Sequence, residues 1–418
     1  MSFLDLSYLT TVGVIGATAR ACSPLLPVAW RQRLEAAPPP GLEAGWVWVH
    51  AVSVGELLLA PGLVERLLAL GERVHITTGT PAGLELLGRR LSEWDQNRGL
   101  LSGGAFPLDD PQGLEAFLVS PPKLFLALET ELWPNLLRTL EAKGIPKVIV
   151  NGRLTSRSTG RALLREAAGR LDLVAARDPA SAEGFRSLGA PRVALGGNLK
   201  ADLLRPKPLP STWAPLRQAW GGDPVVVAGN TVEGEEALVL EAWKAAQKDW
   251  PGVRLMLAPR KPARFEEVAK LLSGEGITFA RASAWPEHAD WANLQALLLD
   301  TLGDLPSAYG EGTVALVGGG WRWTGGHNPL EPVRWGLPTL LGPGCENFKD
   351  LTEPLLREGR VAPVPAESLS TALREALKYA PLRGPGFDQG RPLPDELRGA
   401  LDRTWNLVEP FLFRSNRS

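Results

Sequence analysis

Cysteine is nearly absent from this 418-residue chain. Cys22 and Cys345 are the only two, too few and too far apart for a disulfide framework or a thiolate metal cluster, which fits a reducing compartment. An excess of charge of one sign is missing too. The formal net charge is −1, so no global basic field invites nucleic acid. Histidine is scarce: His50, His75, His288 and His327 show no metal-ligand spacing, and no Asp-x-Asp motif occurs, so no metal is expected. No apolar run is long enough to span a bilayer. The uncharged stretch 6–19 (LSYLTTVGVIGATA) has fourteen residues where about 20 are needed, and Asp5 stands where a cleaved leader would carry basic residues. Two readings of residues 1–30 stay open: a first helix packed on its own domain, or a segment resting on a membrane surface.

What is abundant is glycine and proline, 45 and 37 residues without a regular period, which reads as many short turns. Between the turns, short apolar runs alternate with helix-length stretches. In the first half the runs are 46–54 (WVWVHAVSV), 73–78, 124–128 (LFLAL), 147–150 and 172–176. In the second half they are 225–228, 253–258, 296–299, 314–317 and 339–341. Continuous apolar runs of this length predict parallel strands buried on both faces. Residues 205–215 (RPKPLPSTWAP) carry four prolines and predict a stiff linker. The expected organisation is α/β: two doubly wound Rossmann-like domains, 1–205 and 206–393, with a helix in 394–418 returning to the first. Ligands are expected at the carboxyl ends of the strands, facing a central cleft.

Several strand ends carry chemistry. HAVSVGE (50–56) predicts a tight turn at Gly55, a helix cap at Ser53 and a carboxylate, Glu56, in the first turn. Glu56 is placed either to complement the helix dipole or to act as a general base. ETELWPN (129–135) adds Glu129 and Glu131 directly after a strand. NGRLTSRS (151–158) starts a series, Arg153, Arg157, Arg161 and Arg165, in a region with ten basic and five acidic residues over 151–205. It reads as a solvated face or as a phosphate-binding surface. In the second half, GNTVEGE (229–235) opens a helix whose N–H groups suit a phosphate, without a Walker A or G-x-G-x-x-G signature. PRKPARF (259–265) offers Arg260, Lys261 and Arg264, and GGGWRWTGGHNPLEP (318–332) offers Gly325, Gly326, His327, Asn328 and Glu331. The two glycines let backbone approach a ligand, and Glu331 suits a ribose diol. His327 is either a loop packer or a catalyst.

Taken in order, HAVSVGE, ETELWPN, NGRLTSRS, GNLKAD (197–202), PRKPARF and GGHNPLEP, with DTLGDLPSAYG (300–310) and GPGCENFKD (342–350), resemble the 3-deoxy-D-manno-octulosonic acid (Kdo) transferases over residues 46–350. The resemblance implies a GT-B architecture and an inverting glycosyl transfer from CMP-Kdo to a lipid A precursor, lipid IVA, in lipopolysaccharide core biosynthesis. It implies no cofactor, and action at the cytoplasmic face of the inner membrane as a peripheral protein. Glu56 falls on the family's general base and Glu129 on its companion acid. Lys200, Arg260, Asn328 and Glu331 fall on positions implied to hold the donor, with Lys261, Gly326 and His327 beside them. Ser53, Gly55, Arg153 and Arg157 are assigned to the acceptor side. The chain departs from the family pattern at 229–235, where Gly-Ser-Thr-His-x-Gly-Glu is usual, at Lys261, usually His, and at Gly320, usually Ser.

The implied reaction is direct displacement. Glu56 deprotonates a primary hydroxyl of the glucosamine disaccharide, that oxygen attacks the anomeric carbon of Kdo, and CMP departs from the opposite face. Three rival readings are a same-family transferase with another acidic sugar donor or acceptor, a sugar-nucleotide epimerase on the same scaffold, and a non-catalytic binder.

Overall fold

The computed structural model describes residues 3–38, 41–96, 98–154, 162–203, 211–285, 290–379 and 392–413. The chain divides into two compact units, Met1–Leu203 with Gly399–Ser418, and Leu204–Arg398. Each is built on one seven-stranded, fully parallel sheet.

In the first unit the strands are β1 (Val47–His50), β2 (Val74–Thr78), β3 (Leu101–Ala105), β4 (Leu124–Leu128), β5 (Lys147–Gly152), β6 (Leu173–Ala176) and β7 (Val193–Leu195), ordered β3-β2-β1-β4-β5-β6-β7. Side chains alternate across a strand, so β1 feeds two cores. Val47 and Val49 join Leu124, Leu126, Val148 and Val150 on one face. Trp46 and Trp48 join Phe106, Phe117 and Phe125 on the other. Both indole N–H groups of that aromatic layer are satisfied, Trp48 donating to Thr77 Oγ1 at 2.8 Å and Trp46 to Ser120 O at 2.8 Å. The helix Ala400–Val408 lays Ala400, Trp405 and Val408 on the Val47 face. Asp202 fixes its start by accepting the amides of Gly399 at 3.0 Å and Leu401 at 2.7 Å.

The second unit contains β8 (Val225–Thr231), β9 (Arg254–Pro259), β10 (Phe279–Arg281), β11 (Ala296–Leu298), β12 (Val314–Val317), β13 (Thr339–Leu341) and β14 (Val361–Pro363), ordered β10-β11-β9-β8-β12-β13-β14. Val226 and Ala228 pack under the helix Glu235–Ala246. Val225 and Val227 face Trp213, Tyr309 and Trp291. In both sheets the strand order reverses beside the first strand of the unit, between β1 and β4 and between β8 and β12. Such switch points open a crevice at the carboxyl ends of the strands.

Four strands differ from the sequence expectation: β3, β7, β10 and β14 are not foreshadowed by apolar runs. All four are sheet edges. β3 and β10 are half-buried throughout, and β14 exposes Ala362 and Pro363, so none needs two apolar faces. Most of the expected linker, 205–210, lies outside the described residues.

Candidate functional site

After β1 the chain leaves the sheet and starts the short helix Val54–Leu57. Ser53 caps it, its Oγ accepting the Glu56 amide at 3.4 Å. Glu56 reaches back: Oε2 accepts the Val52 amide at 2.7 Å, and Oε1 accepts the Ser53 hydroxyl at 3.2 Å. This reciprocal capping box fixes the carboxylate beside the switch point of the first sheet. Gly55 corrects an expectation. It lies inside the helix without the positive φ of a tight turn, and a Cβ there would meet nothing nearer than Ser53 Oγ at 3.9 Å. Its missing side chain leaves open space rather than permitting a bend.

Burial pushes the Glu56 carboxyl up to about 7, helped by the negative charges of Glu131 and Glu129 and opposed by its two hydrogen bonds. Both neighbours come from the end of β4, across the switch point. Glu129 adopts a left-handed φ of 61°, rare for a residue with a side chain, while its amide still donates to Val150 O at 3.0 Å. Its carboxylate lies 3.6 Å from the Lys200 ammonium. Lys200, grouped by the resemblance with the donor, thus sits in the first unit. Its helix, Leu199–Leu203, is pinned by Asn151, which accepts the Leu199 amide at 2.9 Å from the end of β5.

Glu131 is buried, accepting the Trp133 indole N–H at 2.6 Å and lying 3.6 Å from His50 Nε2. His50 is fully buried, stacks on Phe106 and turns Nδ1 to the Thr77 carbonyl and hydroxyl, so it serves as packing. Arg33 was invisible to motif reasoning, because it comes from the early helix Val28–Leu34. Its guanidinium donates to Phe106 O at 3.1 Å, lies near the Trp133 ring and feels Asp109 and Glu131, with burial drawing its pKa down. Arg153 is half-buried beyond β5, and its carbonyl accepts the Thr130 hydroxyl. Arg157 and Arg161 lie outside the described residues, so the arginine series is represented by Arg153 and the exposed Arg165.

The second unit handles its switch point differently. The helix Glu235–Ala246, expected to offer its first N–H groups to a phosphate, begins with a side chain that binds the loops around it. Glu235 is fully buried. Its Oε2 accepts the amides of Val232 at 3.1 Å and Gly319 at 2.7 Å, and its Oε1 those of Trp321 at 2.9 Å and Arg322 at 3.3 Å. One carboxylate therefore ties the β8 loop to the glycine loop after β12. A second seam is pure backbone. A Cβ on Gly342 would stand 2.1 Å from the Gly320 carbonyl carbon, and the Gly344 amide donates to Gly320 O at 3.1 Å.

Arg260 and Lys261 follow β9 and are exposed. The Arg260 amide donates to Thr231 O at 2.9 Å, and its charge reaches His327. Gly319, with φ 84°, lies against the His327 ring, whose Nδ1 is 2.7 Å from Gly326 O. Burial, with Arg260 adding to it, lowers the His327 pKa against the pull of that hydrogen bond and of Glu235, keeping the ring neutral at pH 7. Gly326 has φ 64°, and a Cβ there would strike Cys345 at 2.9 Å. Asn328 Oδ1 accepts the Leu330 amide at 3.1 Å at the start of the helix Leu330–Arg334, which carries Glu331 in its first turn. Arg264, offered as a third cation, is instead bound to Glu236 at 3.2 Å and Glu267 at 3.1 Å. Among the described residues no group of three or more His, Cys, Asp or Glu is arranged to hold a metal ion.

Residues 28–203 match the family model described as 3-Deoxy-D-manno-octulosonic-acid transferase (kdotransferase). Similar proteins include the 3-deoxy-D-manno-octulosonic acid transferases of Haemophilus influenzae, 34% identical over 90% of this chain and 88% of the relative, and of Bordetella pertussis, 35% identical over 89% of each. That of Aquifex aeolicus is 31% identical over 80% of this chain and 86% of the relative. Among solved structures, UDP-GlcNAc 2-epimerase from Neisseria meningitidis bound to UDP-GlcNAc matches 88% of this chain and 99% of its own with a TM-score of 0.59 at 14% identity. An S. aureus MnaA-UDP structure matches 88% and 97% with a TM-score of 0.55 at 13% identity. At such identities these two share the GT-B fold of paired Rossmann-like domains with this chain, and the likeness extends no further.

Proposed function

The chain belongs to the 3-deoxy-D-manno-octulosonic acid transferase family of glycosyltransferases, and from that premise we propose that it moves Kdo from CMP-Kdo to lipid IVA by direct, inverting, metal-independent displacement. One observation carries the reading. Glu56 stands at the carboxyl end of the first sheet as a carboxylate with a pKa of about 7, held in place by the Val52 amide and the Ser53 hydroxyl. A group tuned to neutral pH takes up and releases a proton under working conditions, which an ordinary surface glutamate does not.

In this mechanism Glu56 takes the proton from a primary hydroxyl of the acceptor while that oxygen attacks the anomeric carbon. Glu129, with Lys200 beside it, orients acceptor hydroxyls, and Glu131 helps keep the Glu56 pKa high. The departing phosphate meets Arg260 and Lys261. Those side chains matter more than the start of the helix Glu235–Ala246, where the buried Glu235 carboxylate already stands. Glu331 accepts from the ribose hydroxyls, with Asn328 fixing the start of its helix.

We place the enzyme at the inner face of a membrane, touching it through its first helices. Val14, Ile15, Leu25, Val28 and Trp30 are exposed there. The helix Phe3–Ala21 is anchored by Arg20 on Asp110 at 2.6 Å and packs closely at Gly16. No helix among the described residues is long and apolar enough to cross a membrane, so the contact proposed is interfacial.

Incubating the protein with CMP-Kdo and lipid IVA, with and without a chelator, tests the reading. Release of CMP matched by a Kdo-bearing lipid, undiminished by chelation, is the expected result. Release of CMP without a glycosylated lipid, or dependence on metal, would overturn it.

A further inference from the structure

Tyr309 holds a hydroxyl with no hydrogen-bond partner among the described residues. The residue is fully buried. An unmade hydrogen bond at a buried hydroxyl is costly, so such a group calls for a reason. Its position supplies one. A Cβ on Gly229 would stand 2.1 Å from Oη, which places the hydroxyl directly over the carboxyl end of β8. Gly229 pairs with Val317 of β12 and with Ala258 of β9, so this is the switch point of the second sheet. The short helix Leu330–Arg334, which carries Glu331, packs against the turn Tyr309–Glu311. Burial and the Glu331 charge raise the Tyr309 pKa well above its ordinary value. The hydroxyl therefore stays protonated, a donor within electrostatic reach of an acid.

We propose that Tyr309 is a positioning residue of the nucleotide site, its hydroxyl donating to the Glu331 carboxylate when a ribonucleotide is bound and so aiming that carboxylate at the ribose diol. The inference rests on the reading that Glu331 receives the ribose. Gly229 follows from it, since any side chain there would take the space of the hydroxyl. The hydroxyl makes no hydrogen bond within the described protein, so a bond formed on nucleotide binding adds to nucleotide affinity rather than to the stability of the fold.

The test uses the full chain, with CMP and 2′-deoxycytidine 5′-monophosphate as probes, titrated calorimetrically into the parent, Tyr309→Phe, Glu331→Gln and the double variant. The melting temperature of each is recorded without ligand. Tyr309→Phe is expected to weaken CMP binding about ten-fold, the worth of one hydrogen bond to a charged group. It should leave the ligand-free melting temperature unchanged or higher, lose most of its effect on the deoxy analogue, and add nothing on the Glu331→Gln background. If Tyr309→Phe binds CMP within about two-fold of the parent while Glu331→Gln binds weakly, the positioning role is wrong and the ribose reading survives. If Glu331→Gln binds CMP normally, the ribose reading itself falls. Equal losses for both nucleotides, with a lower melting temperature, would reduce Tyr309 to a packing residue and overturn the proposal.

Discussion

The Lys200 ammonium lies 3.6 Å from the Glu129 carboxylate, while Glu56, across the same switch point, is balanced by an amide and a hydroxyl and faces two like charges. One acid of the cluster is thereby held beside a cation and another is pushed toward neutrality. Divergent environments for neighbouring carboxyl groups are how one site assigns different tasks to the same side chain.

Glu56→Gln removes the proposed base and keeps the shape. Turnover should fall by roughly 10²–10⁴-fold, the usual contribution of a positioned base, while calorimetry should show CMP affinity intact. A variant turning over near the parental rate would remove Glu56 from the mechanism.

The pH dependence follows from a carboxyl raised to about 7. Its basic form accumulates as pH rises, so the rate should climb through neutrality and level off above it. Glu131→Gln withdraws one of the charges holding the value up and should move the midpoint toward lower pH. An unmoved midpoint would show that Glu131 does not tune Glu56.

The same shift has a stability counterpart. The folded protein keeps the Glu56 proton up to about pH 7, whereas the unfolded chain releases it near its ordinary 4.5. Stability contributed by this group is therefore lost as pH rises between those values, by at most about 3 kcal/mol and less where water screens the site. Denaturation curves should show Glu56→Gln more stable than the parent above pH 7 and the two converging below pH 4.5.

Glu129 combines a functional side chain with a backbone that favours glycine. Glu129→Ala and Glu129→Gly should both impair transfer, because both lose the carboxylate. They should differ in urea denaturation, the glycine variant being more stable by about 1 kcal/mol because the left-handed conformation no longer costs it a Cβ clash. Equal stabilities would mean that this φ carries no strain.

Glu235→Gln leaves buried amides of the glycine loop without acceptors. A loss of about 2–4 kcal/mol in denaturant unfolding is expected, together with weaker CMP binding, because the loop after β12 is no longer held. Unchanged stability would show that the loop is held by its other contacts alone.

Contact with a lipid surface is tested by Val14→Asp combined with Ile15→Asp. Co-sedimentation with anionic vesicles should drop several-fold, with transfer to a short-chain soluble acceptor unchanged. Vesicle binding equal to the parent would refute an interfacial role for this helix.

The sequence reveals what is buried on both faces and conceals what is not. Leu124–Leu128 must be apolar throughout because helices cover both faces of β4, so its composition alone predicts a strand. Leu101–Ala105 at an edge needs no such run, and its two glycines disguise it. The same contrast governs the site. Glu56 and Glu129 are legible because each follows an apolar run at a predicted strand end. Arg33 and Tyr309 are not, since their relation to the acids arises from packing between distant segments. Glu235 is legible as a helix opener, yet nothing in GNTVEGE tells that its carboxylate accepts amides of the glycine loop 84 and 86 residues on. Gly320 reads only as a departure from serine until the fold shows that a Cβ there would come within 3.0 Å of the Gly342 carbonyl oxygen.

The backbone contact between Gly320 and Gly342 leaves no side-chain cushion between the loops that follow β12 and β13. Any side chain at either position would wedge the two loops apart, so the cost of a substitution there is a break in the floor of the unit's crevice rather than a local bulge.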